Sequence, residues 1–204
     1  RVAPRVEQRR LAVTIADESG RSIWIYDQAR DSMARLTSTG FNDGPLWTHD
    51  GRYVVFLSIG NGILWTRSDG AGQPQPLVPS KGALIPWSFT PDGKRLAYFE
   101  NRGQIWTVPV EEKDGQLKAG QPEQFLQSQF NDQLPAFSPD GHWLAYQSNE
   151  SGRPEVYVRP FPPPASGQGG KWQISNSGGG QPTWSPNGRD LLYVNRVANQ
   201  MMAV

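Results

Sequence analysis

Phe137-Ser138-Pro139-Asp140-Gly141-His142-Trp143-Leu144-Ala145-Tyr146 places an aromatic residue, a tight turn and an apolar burst in direct succession. The same order recurs in Trp47-Thr48-His49-Asp50-Gly51, Phe89-Thr90-Pro91-Asp92-Gly93 and Trp184-Ser185-Pro186-Asn187-Gly188, with apolar residues after each. The four turn glycines stand 42, 48 and 47 residues apart. A unit of roughly 40 to 50 residues holds about four short strands, and one such unit cannot cover its own apolar faces, so it must stack on its neighbours. The pattern predicts an all-β chain, a β-propeller of about five blades or part-blades, each a four-stranded antiparallel sheet.

Pro suits the first central position of a type I turn, Asp or Asn tolerates the second, and Gly takes the left-handed position of a bulged hairpin. Each motif therefore joins a blade's first strand to its second. Second strands are read at Tyr53 to Leu57, Leu96 to Phe99, Trp143 to Tyr146 and Leu191 to Val194, apolar on both faces as in a sheet sandwiched between two others. Third strands follow at Ile23 to Tyr26, Ile63 to Trp65, Ile105 to Val108, Val156 to Val158 and Met201 to Val204, and outer strands end near Leu36, Leu77, Phe125 and Ile174. The division that results is a part-blade at 11–40, blades at 41–84, 85–131 and 132–180, and a part-blade at 181–204. The expected total is about 18 strands, because Arg5 to Arg10 lacks the Pro-Asp-Gly turn that would follow a first strand.

Composition narrows the function. Twenty basic and 19 acidic residues leave a formal charge of +1, with no stripe of Lys or Arg, so neither nucleic acid nor an anionic lipid surface is an expected partner. The 22 Gly and 18 Pro accompany eight Trp, the signature of a turn-rich β array with an aromatic core rather than of disorder. With no Cys there is no disulfide, thiol nucleophile or thiolate metal site. Apolar runs reach only five or six residues, far short of the roughly 20 a spanning helix needs, and no signal peptide opens the sequence.

Trp24-Ile25-Tyr26-Asp27, Ser138-Pro139-Asp140-Gly141 and the block from Ser148 through Pro162 resemble the TolB-like, WD-type propeller repeats of bacteria. With Gly170-Lys171-Trp172-Gln173-Ile174-Ser175 and Met201-Met202-Ala203-Val204 added, the chain resembles the C-terminal propeller of bacterial eukaryotic-like serine/threonine protein kinases. That resemblance implies an extracytoplasmic propeller that senses or binds a ligand, and it supplies no catalytic motif. The kinase's own Gly-rich loop, His-Arg-Asp loop and Asp-Phe-Gly are missing, and the chain reads as a fragment. Unpaired outer strands on such a piece predict a homo-oligomer joined through blade edges.

Candidate site residues fall in two repeated loops. Phe41-Asn42-Asp43 and Phe130-Asn131-Asp132 precede first strands, where they would open on the mouth of a central channel. Their oxygens suit Ca²⁺ or Mg²⁺, with Asp43 and Asp132 the candidate metal ligands, and they equally suit side-chain turns to the backbone. Asp17-Glu18-Ser19-Gly20-Arg21 and Asn149-Glu150-Ser151-Gly152-Arg153 join second to third strands on the same rim, making Glu150 and Arg153 candidate ligand contacts. His49 and His142 belong to the turns at the opposite end, with no His at metal-ligand spacing. Trp47 and Trp184 share a repeat position with Phe89 and Phe137, which marks them as core.

Three functions compete. The first is a non-enzymatic sensory or scaffold module for a protein, peptide or glycan. The second is a Ca²⁺-assisted hydrolase of esters or phosphoesters at the channel, and the third is an assembly domain. No Gly-x-Ser-x-Gly elbow or His-Glu-x-x-His pair seeds a hydrolase of another kind.

Overall fold

The computed structural model describes residues 2–5, 10–18, 20–100, 103–164 and 169–204. Among them are twenty strands and no helix. The first sheet runs β1 (Val2–Arg5), β2 (Arg10–Asp17), β3 (Gly20–Asp27) and β4 (Ser32–Arg35), and the second β5 (Asn42–Trp47), β6 (Tyr53–Ser58), β7 (Gly62–Arg67) and β8 (Gln75–Pro79). The third holds β9 (Leu84–Phe89), β10 (Arg95–Glu100), β11 (Ile105–Lys113), β12 (Gln116–Ala119) and β13 (Glu123–Gln124). The fourth runs β14 (Gln133–Phe137), β15 (Trp143–Ser148), β16 (Glu155–Pro160) and β17 (Trp172–Gln173), and the fifth β18 (Gly180–Trp184), β19 (Leu191–Asn195) and β20 (Gln200–Ala203). Each sheet is an antiparallel meander in chain order, the blade of a β-propeller, with β13 of the third pairing back onto β11 beside β12. Two compact units result, one of Arg1–Pro86 with Val110–Ala119, the other of Trp87–Pro109 with Gly120–Val204.

Every turn repeats one hydrogen-bond network. The hydroxyls of Thr48, Thr90, Ser138 and Ser185 donate to Oδ1 of Asp50, Asp92, Asp140 and Asn187 respectively. The same Oδ1 accepts the backbone N–H of Arg52, Lys94, His142 or Arg189, at 3.0 Å in all four. Gly51, Gly93, Gly141 and Gly188 take φ between 63° and 75°, the left-handed region where a Cβ is penalised. This is why hydroxyl, Asp or Asn, and Gly recur at fixed offsets.

Two strands differ from expectation. Val2–Arg5 pairs antiparallel with Arg10–Val13, so the first sheet has four strands although residues 6–9, outside the described residues, contain no Pro-Asp-Gly. Asp114 and Gly115, both at positive φ (54° and 76°), form a two-residue hairpin that carries β11 onward and returns as β12. Part of the loop from Pro160 to Gly170 also lies outside the described residues, at 165–168.

The apolar second strands are buried on both faces in the middle blades. β6 is buried at every position, β10 is buried except at its two ends, and β15 is buried except at Trp143. In β19 burial alternates instead, as for a strand with one face covered. Third strands carry a fully buried Ile23, Ile63, Ile105 or Val156 at or near their start, and in the first and fourth blades a hydroxyl beyond the outer strand caps that residue's N–H: Thr37 on Ile23 and Ser175 on Val156, both at 2.8 Å.

A candidate ligand cavity and the sequence-predicted rim

Strand register shifts the two Phe-Asn-Asp triplets by one residue relative to each other. Asn42 pairs with Ser58 and Asp43 with Leu57 inside β5, so both belong to a strand rather than to the loop before it. In the fourth blade Gln133 pairs with Gln147, the position that matches Leu57, which makes Asp132 the counterpart of Asn42 and Gln133 the counterpart of Asp43. The cause is length: one more residue stands between Asp132 and Pro135 than between Asp43 and Pro45. Identical triplets therefore do not present identical side chains.

Asn42 and Asp132 are each 3% exposed, and each is held by its own preceding loop. Asn42 Nδ2 donates to the Thr39 carbonyl at 2.8 Å, and the Ser128 hydroxyl donates to Asp132 Oδ2. Burial raises the Asp132 carboxyl above the usual carboxylate range, and the nearby Glu150 charge adds to this against the Ser128 and Ser148 hydroxyls and Arg159. Asp43 behaves oppositely. Its burial would raise it, but the Thr14 hydroxyl, the Gly44 N–H and the Arg21 guanidinium together hold it below its ordinary value. Among the described residues no group of three or more His, Asp or Glu gathers at metal-binding distance.

Of the second repeated loop, the copy in the fourth blade joins β15 to β16, whereas in the first blade Asp17 ends β2, Gly20 and Arg21 open β3, and Ser19 lies outside the described residues. Asn149 Oδ1 accepts the Asn131 N–H at 2.8 Å, so Asn131, Asp132 and Glu150 share one end of the fourth blade. Glu150 is paired with Lys171 at 2.5 Å. Arg153 turns inward, to Glu155 and to the Asn176 carbonyl. Glu155 is 1% exposed, and it also accepts the Gly178 N–H at 2.9 Å and the Ser175 hydroxyl. Sequence reasoning missed this buried carboxylate; a charged residue opening an otherwise apolar third strand was the available signal.

The opposite, turn end of the second unit carries a cavity of about 540 Å³. Trp143, Trp172 and Trp184 line it together with Val158, Ile174 and Leu191, and Ser138, Asp140 and Asn187 border it. Trp172 is 48% exposed and meets Trp143 edge-on, with ring centres 5.4 Å apart. Trp184, expected as core, is half-buried, its indole N–H donating to the Ala136 carbonyl at 3.1 Å. The first unit holds a more polar concavity of about 760 Å³, lined by Asn42, Ser58, Asn61 and Lys81 among others. His49 and His142 are exposed turn residues, as read from their position.

No family model matches the chain. The Tol-Pal system protein TolB of Bordetella pertussis is 44% identical over 64 residues, 31% of this chain and 14% of that protein. TolB of Francisella tularensis subsp. mediasiatica is 26% identical over 157 residues, 74% of this chain and 34% of that protein. The matched region thus spans between 14% and 34% of the length of these relatives. In structure, TolB from Acinetobacter baumannii superposes with a TM-score of 0.73 at 21% identity, covering 99% of this chain and 50% of that one. A periplasmic gluconolactonase from Pseudomonas aeruginosa superposes with a TM-score of 0.64 at 21% identity, covering 95% and 62%. The chain is therefore a β-propeller, similar to TolB in fold and, over part of its length, in sequence.

Proposed function

We propose that the chain is a non-enzymatic binding module and that the tryptophan-lined cavity of the second unit is its contact surface for a protein or peptide. The observation that carries this reading is the cavity itself. Its volume falls in the range of roughly 300 to 1,000 Å³ common to ligand sites, and its walls are aromatic and aliphatic with a few polar groups at the border. A half-exposed Trp beside a concave surface supplies large contact area with few rotatable bonds to order. Likeness to TolB, a Tol-Pal system protein, goes with a protein partner. An extracytoplasmic location and a kinase-linked parent, both implied by the repeat resemblance, belong to the same reading.

The test is a peptide-display selection on the immobilised chain, repeated on Trp172→Ala, beside a lactone and ester hydrolysis assay with and without Ca²⁺. Enriched peptides that lose affinity on Trp172→Ala, with hydrolysis at the buffer rate, support the module. Hydrolysis above that rate, or peptides indifferent to Trp172→Ala, overturns it.

A further inference from the structure

The cavity of the first unit differs in chemistry from the indole-lined one. Three links at one end of the blades build its rim: Thr37 to Gly40 between β4 and β5, Gly60 and Asn61 between β6 and β7, and Ser80 and Lys81 between β8 and β9. Leu64 of β7 and the prolines on and just before β8, Pro74, Pro76 and Pro79, supply its apolar part. At about 760 Å³ it is larger than a bare ion needs and lies in the roughly 300 to 1,000 Å³ range of small-molecule sites. Among the described residues it has no carboxylate and no aromatic ring on its wall, and Lys81 is the sole charged side chain there.

The hydrogen bonds around the cavity leave it rich in donors. The hydroxyl oxygens of Thr37, Ser58 and Ser80 accept from the Ile23 N–H at 2.8 Å, from Asn61 Nδ2 at 3.1 Å and from the Gly82 N–H at 2.9 Å. A hydroxyl whose oxygen already accepts still has its proton to give. Several carbonyls of the same wall are engaged as well: Thr37 by Arg35 Nε at 2.7 Å, Thr39 by Asn42 Nδ2 at 2.8 Å, and Gln73 by Gln75 Nε2 at 3.2 Å. Among the described residues Lys81 belongs to no ion pair.

Hydroxyl protons and one ammonium complement a ligand rich in acceptors that carries negative charge. Lys presents a compact point charge rather than a bidentate fork, which suits a single oxyanion. The prolines and Leu64 match the C–H face of a sugar ring, and the side-chain amides of Asn61 and Gln73 can both donate to and accept from its hydroxyls. We propose that this cavity takes a sugar bearing an oxyanion, phosphate or carboxylate, with the anion at Lys81. The site goes beyond the binding-module reading and shares no residue with the tryptophan-lined cavity.

Three probes share one pyranose ring and differ at C6: glucose, glucuronate and glucose 6-phosphate. Each is titrated into the nitrogen-labelled chain at low ionic strength and followed by NMR, beside inorganic phosphate and a blocked glutamate peptide. Lys81→Gln removes the charge from an exposed link residue, and Ser38→Trp, on another, narrows the cavity. Thermal midpoints equal to the parent's show that both variants are folded.

The expected result is saturable shifts at Gly40, Gly60 and the Asn61 and Gln73 side-chain amides. At least one of the two anionic sugars should bind about five-fold more tightly than glucose, an advantage that Lys81→Gln or high salt removes. Which of them binds more tightly identifies the oxyanion as phosphate or carboxylate. Ser38→Trp should abolish binding of all three. Glucose as strong as both anionic sugars, inorganic phosphate or the glutamate peptide as strong as the sugars, affinity unchanged in a folded Lys81→Gln or Ser38→Trp, shifts elsewhere in the chain, or no binding at tens of millimolar sugar each overturns the proposal.

Discussion

Arg153 donates from Nε to Oε1 of Glu155 at 2.8 Å, and the two ends of this pair lie in different media: the arginine side chain is 56% exposed, the carboxylate 1%. The carboxylate also holds the Gly178 N–H and the Ser175 hydroxyl, so one buried group ties together the start of β16, the end of the outer strand and the loop into β18. Removing a partner from a buried charge is costlier than losing a surface ion pair. Arg153→Ala should destabilise by about 1 to 2 kcal/mol, because water reaches the arginine side of the pair. Glu155→Ala should cost more, about 2 to 4 kcal/mol, since it also orphans a buried N–H and a buried hydroxyl. Urea unfolding of both variants checks the order, and equal midpoints for Glu155→Ala and the parent would contradict it.

The turns predict the acid response. Asp92 and Asp140 are held below the ordinary carboxylate range, first by the Thr90 or Ser138 hydroxyl and then by the N–H of Lys94 or His142. Asp69 is lowered to about 2, chiefly by the Arg67 guanidinium. A carboxylate with a depressed folded value contributes its stability above the unfolded value, near 3.9, and that contribution is lost as pH falls through the folded value. Thermal midpoints should therefore drop below about pH 4. Asp92→Asn, which keeps the turn acceptor, should flatten that drop in a differential scanning series from pH 7 to pH 2.

Asp132 has the opposite sign. Its folded value is raised by burial, so the folded state binds the proton more tightly than the unfolded state, and its charged form opposes folding once pH exceeds the folded value. Asp132→Asn should raise the neutral-pH midpoint, and the gain should disappear below about pH 4, where both states are protonated. A loss of stability at pH 7 would show that the ionised Asp132 is needed, for a ligand or for Ser148.

Calcium is the second discriminating condition. Asp43 already spends both carboxylate oxygens on Thr14, Gly44 and Arg21, so an incoming ion would have to displace them. The expected thermal shift with millimolar Ca²⁺ is nil, in the parent and in Asp43→Asn alike. Asp43→Asn itself should cost about 0.2 to 1 kcal/mol, as befits a pair whose arginine is partly exposed to water. A Ca²⁺-dependent rise that vanishes with Asp43→Asn would support the metal reading instead.

The blades were legible because turn chemistry is local. A hydroxyl, an Asp or Asn and a Gly at fixed offsets satisfy one another within six residues, and any such set marks a hairpin wherever it occurs. β12 was not legible from that motif, since Asp114-Gly115 makes a different, two-residue turn inside what reads as a loop. The candidate site was legible only in part. The Phe-Asn-Asp triplets look equivalent as text, but a single extra residue before Pro135 moves Asp132 onto the position of Asn42. Trp184 matched a core position, but what packs beside each such ring is set by residues outside the motif: Arg10 lies over Trp47, Phe161 meets Phe137 edge-on, and Trp184 lines a cavity with Trp143 and Trp172.

The most direct test of the cavity as contact surface is fluorine NMR of the chain labelled with 5-fluorotryptophan, titrated with a peptide enriched by the display selection. Each resonance is assigned by single Trp→Phe changes. The account predicts that Trp143, Trp172 and Trp184 shift together and saturably while Trp24, Trp65 and Trp106 stay in place. Shifts confined to the latter group, or no shift at any tryptophan at millimolar peptide, would contradict it.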